Sequence, residues 1–337
     1  MKFYSLDEEK IFNSKIASEY HSVDVIGAKL GGKVLSFSDE WFAAAENLIL
    51  PKAPVRDATK YTPAGAWYDG WETRRHNENP YDWVILRMGV FSAQIVGGEI
   101  DTAFFNGNQA EFASVEGLYD EAATDISETD ERWDQIIPKF ECEPSKRHFF
   151  LRTDGLTEKK YTHIKLKMFP DGGIARFRLY GKVFPPNVVS ATKQHPLDLA
   201  SACNGGVALA VSDQHFGSAD NLLVPGRGHD MSDGWETTRS RKPGHVDWVI
   251  IQLGRETSFL DKVIIDTAHF KGNFPQYIMV HGAQGPQDDN WIELVPKSKT
   301  GPDKEHEYVI GKEQKITHVK VTIIPDGGLK RIRVWGY

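Results

Sequence analysis

Two short blocks crowd acids, an arginine and a tryptophan together: DGWETRR from Asp69 and DGWETTR from Asp233. Asp69, Glu72 and Arg75 surround Trp71 in the first, and Asp233, Glu236 and Arg239 surround Trp235 in the second. Such a set can wall a polar pocket for a small, hydrogen-bond-rich ligand, with a glutamate placed for proton transfer. It can equally be an aspartate-capped turn whose tryptophan plugs the core and whose Arg–Glu pair lends support. A second pair of blocks, IDTAFFNGN from Ile100 and IDTAHFKGN from Ile265, sets Asp101 and Asp266 among apolar neighbours. A carboxylate there is costly unless paired. Asn106, Asn108 and Asn273 follow in turns; Asn108 and Asn273 suit a ligand amide or simply left-handed backbone. His269 stands where the first block has Phe104, so the second block holds a titratable group that the first lacks. A third pair, Arg176 and Arg178 mirrored by Arg331 and Arg333, follows PDGG on alternate strand positions. Neighbouring guanidiniums need acids or a bound carboxylate opposite them, and both readings stand. His163 and His318, at equivalent strand positions, read as structural.

These pairs are parts of one larger duplication. FSDEWFAAAENLI from Phe37 aligns with VSDQHFGSADNLL from Val211, DWV at Asp82 with DWV at Asp247, and THIKLKMFPDGGIARFRLYG from Thr162 with THVKVTIIPDGGLKRIRVWG from Thr317. Shared blocks in one order mean a module written twice, with a first copy over residues 1–184, a linker over 185–196 where prolines interrupt regular structure, and a second copy over 197–337. Thirty residues separate Asp39 from Asp69 but twenty separate Asp213 from Asp233; 62 separate Asn108 from Pro170 but 52 separate Asn273 from Pro325. The first copy therefore carries two insertions of about ten residues, whose compositions suit surface loops.

Alternation of apolar and polar residues in HIKLKMF, ARFRLYG and RIRVWG predicts strands, and the intervening PDGG predicts a hairpin or tight turn. VDWVIIQLG reads as a strand buried on both faces. SDEWFAAAENLI predicts a short helix with Ser38 as its N-cap. Many short strands with Gly and Pro punctuation point to an all-β chain of two tandem antiparallel sandwiches, most simply jelly rolls, with a few short helices.

Composition narrows the function. A chain of 337 residues that is 40% hydrophobic and 26% charged can bury two cores. Its net charge of −7 disfavours nucleic acid and anionic membrane as partners. Two cysteines fit free thiols in a reducing compartment. No apolar run approaches the roughly 20 residues of a spanning helix, and MKFYSLDEEK has no signal-peptide pattern, so the cytoplasm is the expected location. Nucleotide-binding loops and HExxH, GxSxG and CxxC arrangements are absent.

Taken together, VDVIGAKLGGKVLSFSDEWFAAAENLI, GAWYDGWETRRHNENPYDWVI, GGEIDTAFFNGN, THIKLKMFPDGGIARFRLYG and their second copies closely resemble the allantoicase family in its fungal form, from about Val23 to Tyr337. The resemblance implies two jelly rolls of the galactose-binding-like kind and a homo-oligomer, with a hexamer among its forms. It implies hydrolysis of allantoate to ureidoglycolate and urea in purine (allantoin) degradation. It carries over no catalytic residue. The chemistry it implies needs a cation for the substrate carboxylate, polar groups for two ureido arms, an acid for the departing nitrogen and a base for water. Arg75, Arg239, Arg176 or Arg331 can supply the cation, and Asn106, Asn108 or Asn273 can hold an arm beside Trp71 or Trp235. Asp101, Asp266, Glu72, Glu236 and His269 are the proton-transfer candidates. The sequence requires no cofactor; a divalent metal stays open, although the sequence offers no ligand spacing for one. The rival class is a non-catalytic tandem jelly roll that binds a sugar or other small ligand. Because the scaffold words are shared, the differences between the copies predict one active site rather than two equivalent ones.

Overall fold

A computed structural model describes residues 1–186 and 195–337. The chain forms two compact units, Met1–Val183 and Phe184–Tyr337. Most of the expected linker falls on residues 187–194, outside the described residues.

Each unit is a jelly roll. In the first, one sheet has the strand order Lys2–Tyr4, Arg147–Leu151, Ser92–Asp101, Arg176–Phe184, Val23–Asp24. The other runs Asp134–Glu141, Phe112–Leu118, His163–Phe169, Asp82–Arg87, Lys33–Phe37. The second unit repeats both orders except for the Lys2–Tyr4 edge strand, which has no counterpart: Glu305–Glu313, Phe259–Asp266, Arg331–Gly336, Leu197–Asp198 in one sheet, and Ile292–Lys299, Tyr277–Ala283, His318–Ile324, Asp247–Gln252, Val207–Val211 in the other. Alternating side chains fill the cores, with Val249 and Ile251 fully buried on one strand and Val319, Val321 and Ile323 on its neighbour.

Several local expectations give way. SDEWFAAAENLI is not an α-helix: only Ala45–Ile49 coils, as a 3-10 helix capped by Ala44. Ser38 donates instead to Asp82 Oδ1 at 2.7 Å, tying its loop to the neighbouring strand. The α-helix among the described residues is Glu9–Ser14, in a stretch with no counterpart in the second copy; Phe12 and Ile16 pack with Tyr4, Val96, Phe149 and Leu151. VDWVIIQLG buries only one face fully, since Trp248 and Ile250 are half-exposed. Asn108 and Asn273 do not occupy left-handed backbone; Phe104 and His269 do, at φ 69° and 68°.

PDGG is not a hairpin turn. His163–Phe169 and Arg176–Phe184 lie in different sheets, so the motif is a corner that carries the chain between layers. Phe169–Pro170 and Ile324–Pro325 are cis in the two copies. Gly172 and Gly327 take φ near 130°, which disfavours a side chain. A Cβ on Gly173 or Gly328 would sit about 2 Å from the buried ring of Phe105 or Phe270. That is why two glycines recur at both corners.

The insertions lie on the surface as expected. The first folds a small hairpin, Tyr61–Thr62 with Gly65–Ala66. The second is pinned by its own contacts: Tyr81 Oη donates to Glu128 at 2.6 Å, and the buried Lys165 donates to the Glu128 carbonyl at 2.7 Å. No helix among the described residues is long and apolar enough to cross a membrane.

Candidate functional site

The two most unusual motifs are partners. Trp71–Glu72 forms a short antiparallel ladder with Gly173–Ile174, pairing DGWE with PDGG across about a hundred residues of chain. Trp235–Glu236 does the same with Gly328–Leu329. One tryptophan and one glutamate alternate across each ladder, so they point to opposite sides. Trp71 and Trp235 point inward, fully buried, and donate their indole N–H to the backbone carbonyls of Asp39 and Asp213 at 2.7 and 2.8 Å. They brace the site from behind; a ligand cannot reach them.

The glutamates meet the asparagines of the second motif. Asn108 Nδ2 donates to Glu72 Oε1 at 2.7 Å, and Asn273 Nδ2 donates to Glu236 Oε1 at 2.5 Å. Each corner is then closed by a threonine, Thr73 accepting from Gly172 N–H and Thr237 from Gly327 N–H. The corner aspartates also face this side: Asn77 N–H donates to Asp171 Oδ2 at 3.4 Å and Ser240 N–H to Asp326 Oδ2 at 2.7 Å.

In the second copy these groups open into a pocket of about 460 Å³. Glu236, Arg239, Asn273, Gln276 and Asp326 supply its polar lining, and Phe216 and Phe274 its apolar walls. Arg239 is exposed and has no ion pair among the described residues. The pocket thus offers one unpaired guanidinium, two carboxylates and two side-chain amides, a set matched to a small anion with amide-like arms.

The remaining candidates fall elsewhere. Arg176 and Arg331 are buried and committed: Arg176 forks onto both Asp69 oxygens at 2.9 and 2.8 Å, and Arg331 holds Asp233 Oδ2 at 2.9 Å. Asp69 and Asp233 are thereby anchors of the DGWE loop, and the arginine pairs belong to a structural network, with Arg178 and Arg333 reaching Asp24 and Asp198. Asp266 is clamped by Arg227 through two bonds of 2.9 Å and caps its turn through Ala268 N–H. Asp101 caps the same turn through Ala103 N–H at 2.8 Å, and burial raises its pKa. His269 lies in that turn, its backbone N–H on Asp303 and its ring outside the pocket lining. Asn106 is exposed and contributes its backbone N–H to Asn108 Oδ1 at 3.0 Å. His163 bonds Thr162 Oγ1, and burial pulls it down to about 4. Among the described residues, no group of three His, Cys, Asp or Glu side chains is arranged to hold a metal.

Sequence reasoning missed Asp326, Phe216, Phe274 and Gln276. The signal for Asp326 was present in the duplicated PDGG, but a turn explained that motif completely. Phe216 had a weaker one, as a large apolar residue within an otherwise polar loop; it is 63% exposed.

A family model for the allantoicase repeat matches residues 23–184 and 197–337. An allantoicase of Saccharomyces cerevisiae is 66% identical over the whole of both chains. One of Neurospora crassa is 50% identical, covering 98% of this chain and 93% of that relative. A crystal structure of the S. cerevisiae allantoicase superposes with a TM-score of 0.85 at 65% identity, covering 100% of this chain and 99% of that one.

Proposed function

The chain belongs to the allantoicase family, and on that premise we propose that it hydrolyses allantoate to ureidoglycolate and urea in the pocket of its second copy. This makes it a hydrolase of carbon–nitrogen bonds in linear amidines. The observation that carries the site assignment is the convergence of Arg239, Glu236, Asn273 and Asp326 on one cavity of substrate size.

Allantoate joins a carboxylate and two ureido arms at one carbon. Arg239 is free to take the carboxylate in a forked ion pair, which draws the substrate into the pocket. Asn273 has its Nδ2 on Glu236, while no donor reaches its Oδ1 among the described residues, so that oxygen can accept a ureido N–H. Gln276 offers a second amide for the other arm. Glu236 and Asp326 divide the proton work: one takes a proton from water as its oxygen bonds to the central carbon, and the other protonates the nitrogen as the carbon–nitrogen bond breaks. Phe216 and Phe274 limit the water around both carboxylates.

Every step is assigned to a side chain, and we infer no need for a cofactor. Purified protein is expected to release urea from allantoate and to keep its rate after dialysis against a chelator. Absence of urea release sinks the catalytic reading, and a rate that falls and returns with a divalent ion replaces the side-chain mechanism with a metal-assisted one. As part of the same proposal, the protein is a cytoplasmic homo-oligomer, which light scattering of purified protein and imaging of a tagged chain test.

A further inference from the structure

The chain that leads into DGWE is anchored differently in the two copies. In the first, the insertion does the anchoring. Val55 N–H donates to Asp69 Oδ2 at 3.0 Å, and Arg56 donates to the Trp67 carbonyl at 2.9 Å while its guanidinium lies 4.6 Å from the Tyr68 ring centre. The second copy lacks this insertion: residues 226–230 stand where the first has residues 52–66. Its anchor is Lys330, which follows PDGG at the position of Ala175 and is fully buried. The Lys330 Nζ pairs with Asp233 Oδ1 and donates to the Asp230 carbonyl, so one ammonium bridges both ends of the Met231–Asp233 3-10 turn. Gly228 is fitted around the pair: it sits at φ 68°, and a Cβ there would lie 2.6 Å from Nζ. Arg331 holds the other oxygen at 2.9 Å, so Asp233 carries two cations where Asp69 carries only Arg176 among the described residues. A buried ammonium destabilises a fold unless it is paired and hydrogen-bonded, and alanine fills the same position in the first copy without that cost.

We propose that Lys330 is a positioning residue for catalysis: acting through Asp233, it takes the place of the missing insertion and fixes Glu236 in the second-copy pocket. This rests on the reading of that pocket as the catalytic site. The route is short. Asp233, Gly234, Trp235 and Glu236 are consecutive, Trp235 is locked inward, and Leu329, next to Lys330 in the chain, pairs with Trp235 in the ladder. The Lys330 backbone is itself fixed, its N–H bound to the Asp266 carbonyl at 2.7 Å. Arg239 has anchors of its own, because Thr238 N–H donates to Asp213 Oδ2 at 2.6 Å and Ser240 N–H to Asp326 Oδ2 at 2.7 Å. Loosening Asp233 therefore displaces the proton-transfer group more than the group that takes the substrate carboxylate.

The test is steady-state urea release by the full chain carrying Lys330→Met, which keeps the length of the side chain without its charge. Rates are measured at a temperature where calorimetry shows the second unit folded, so that a loss of stability alone leaves them unchanged. We expect kcat to fall about ten- to hundred-fold, the scale of a small misplacement of a reacting group, with KM for allantoate little changed. Asp233→Asn, which keeps an acceptor for Arg331, should reproduce that loss, and the double variant should be no slower than the slower single one. A folded Lys330→Met protein with the parent kcat overturns the proposal, as does a rise in KM alone or a double variant in which the two losses multiply. If one single variant fails to fold, the other carries the test; failure of both makes the pair a fold element only and overturns the proposal as well. Absence of urea release by the parent chain removes the catalytic reading and this proposal with it, a result told apart from the others because it needs no variant.

Discussion

The two copies hold the same frame and differ in how tightly its parts are locked. In the first, Asn108 is tied at both ends of its amide, to Glu72 and to Asn106, and Gln109 is tied to its own loop. In the second, Asn273 is tied only through Nδ2 among the described residues, and Phe274 and Phe216 form walls rather than bonds. Duplication preserved the scaffold, and a handful of flanking substitutions changed what the scaffold offers a ligand. Internal satisfaction and ligand binding compete for the same donors and acceptors, so the copy with fewer internal bonds has more to give a substrate.

The sharpest way to break this comparison is to neutralise the paired glutamates in turn. Glu236→Gln keeps the hydrogen bond to Asn273 but removes the transferable proton, and kcat should fall about a thousand-fold, within the usual range for a general acid or base. Glu72→Gln should cost less than about ten-fold by the same logic, since Glu72 lies in the other copy, away from the pocket of Glu236. Steady-state urea release from both variants checks this. Equal losses would mean that both copies catalyse, and that the tighter locking of the first is irrelevant to chemistry.

Much of this frame was legible in the sequence. Duplication exposed DGWE, IDTA and PDGG, and strand alternation exposed the sandwich, because repetition and period survive without knowledge of tertiary contacts. Partnership between motifs was not legible. Glu72 and Gly173 pair across the fold only because Phe105 leaves room for a glycine there, and no local pattern encodes that contact. The arginine pairs misled for a related reason: Arg176 and Arg331 look available until the loops bearing Asp69 and Asp233 are seen folded against them. The SDEWFAAAENLI helix failed because Ser38 and Asn47 spend their side chains on Asp82 and the Gly70 carbonyl, long-range bonds that outweigh the helical preference of the alanines. The real helix, Glu9–Ser14, is only six residues long and is held by packing.

That helix has no counterpart in the second copy, and removing its anchor tests whether the copies are stabilised independently. Phe12 is fully buried against Tyr4, Phe149 and Tyr180 at ring distances of 5.2–5.7 Å. Phe12→Ala should cost roughly 3–5 kcal/mol in the first unit. Scanning calorimetry should show one component of the melt moving down and another staying in place. A uniform shift would show that the two units unfold as one.

A feature shared by both copies gives a finer comparison. Burial raises Asp24 and Asp198 to about 6, against the pull of Arg178 and Arg333. An acid whose pKa is raised on folding stabilises the fold fully below its unfolded value of about 4 and loses that contribution as pH rises through about 6. Asp198 should therefore cost its copy up to about 3 kcal/mol between pH 4 and 7, for a shift of roughly two units. The Asp24 side chain is 24% exposed against 9% for Asp198, so the first copy should lose less. Asp198→Asn should flatten the pH dependence of the second unit's melting temperature more than Asp24→Asn flattens that of the first. The opposite ranking would show that solvent access does not set the shift.

The smallest expected effect separates binding from turnover at the two arginines. Both are exposed and unpaired among the described residues, so neither Arg75→Met nor Arg239→Met sacrifices an internal bond. Whatever changes must come from the ligand. A lost charge-assisted contact is worth ~2 kcal/mol, so Arg239→Met should raise KM for allantoate about 30-fold while kcat falls much less, because the proton-transfer groups stay in place. If kcat falls as far as in Glu236→Gln, Arg239 holds the reacting carbon in its transition-state geometry rather than capturing the carboxylate alone. The same change at Arg75 should show only weakly in KM, since Glu111 stands in that copy where the second has Gln276. An Arg75→Met effect on KM as large as that of Arg239→Met would move the substrate into the first copy and reverse the ranking of the two copies.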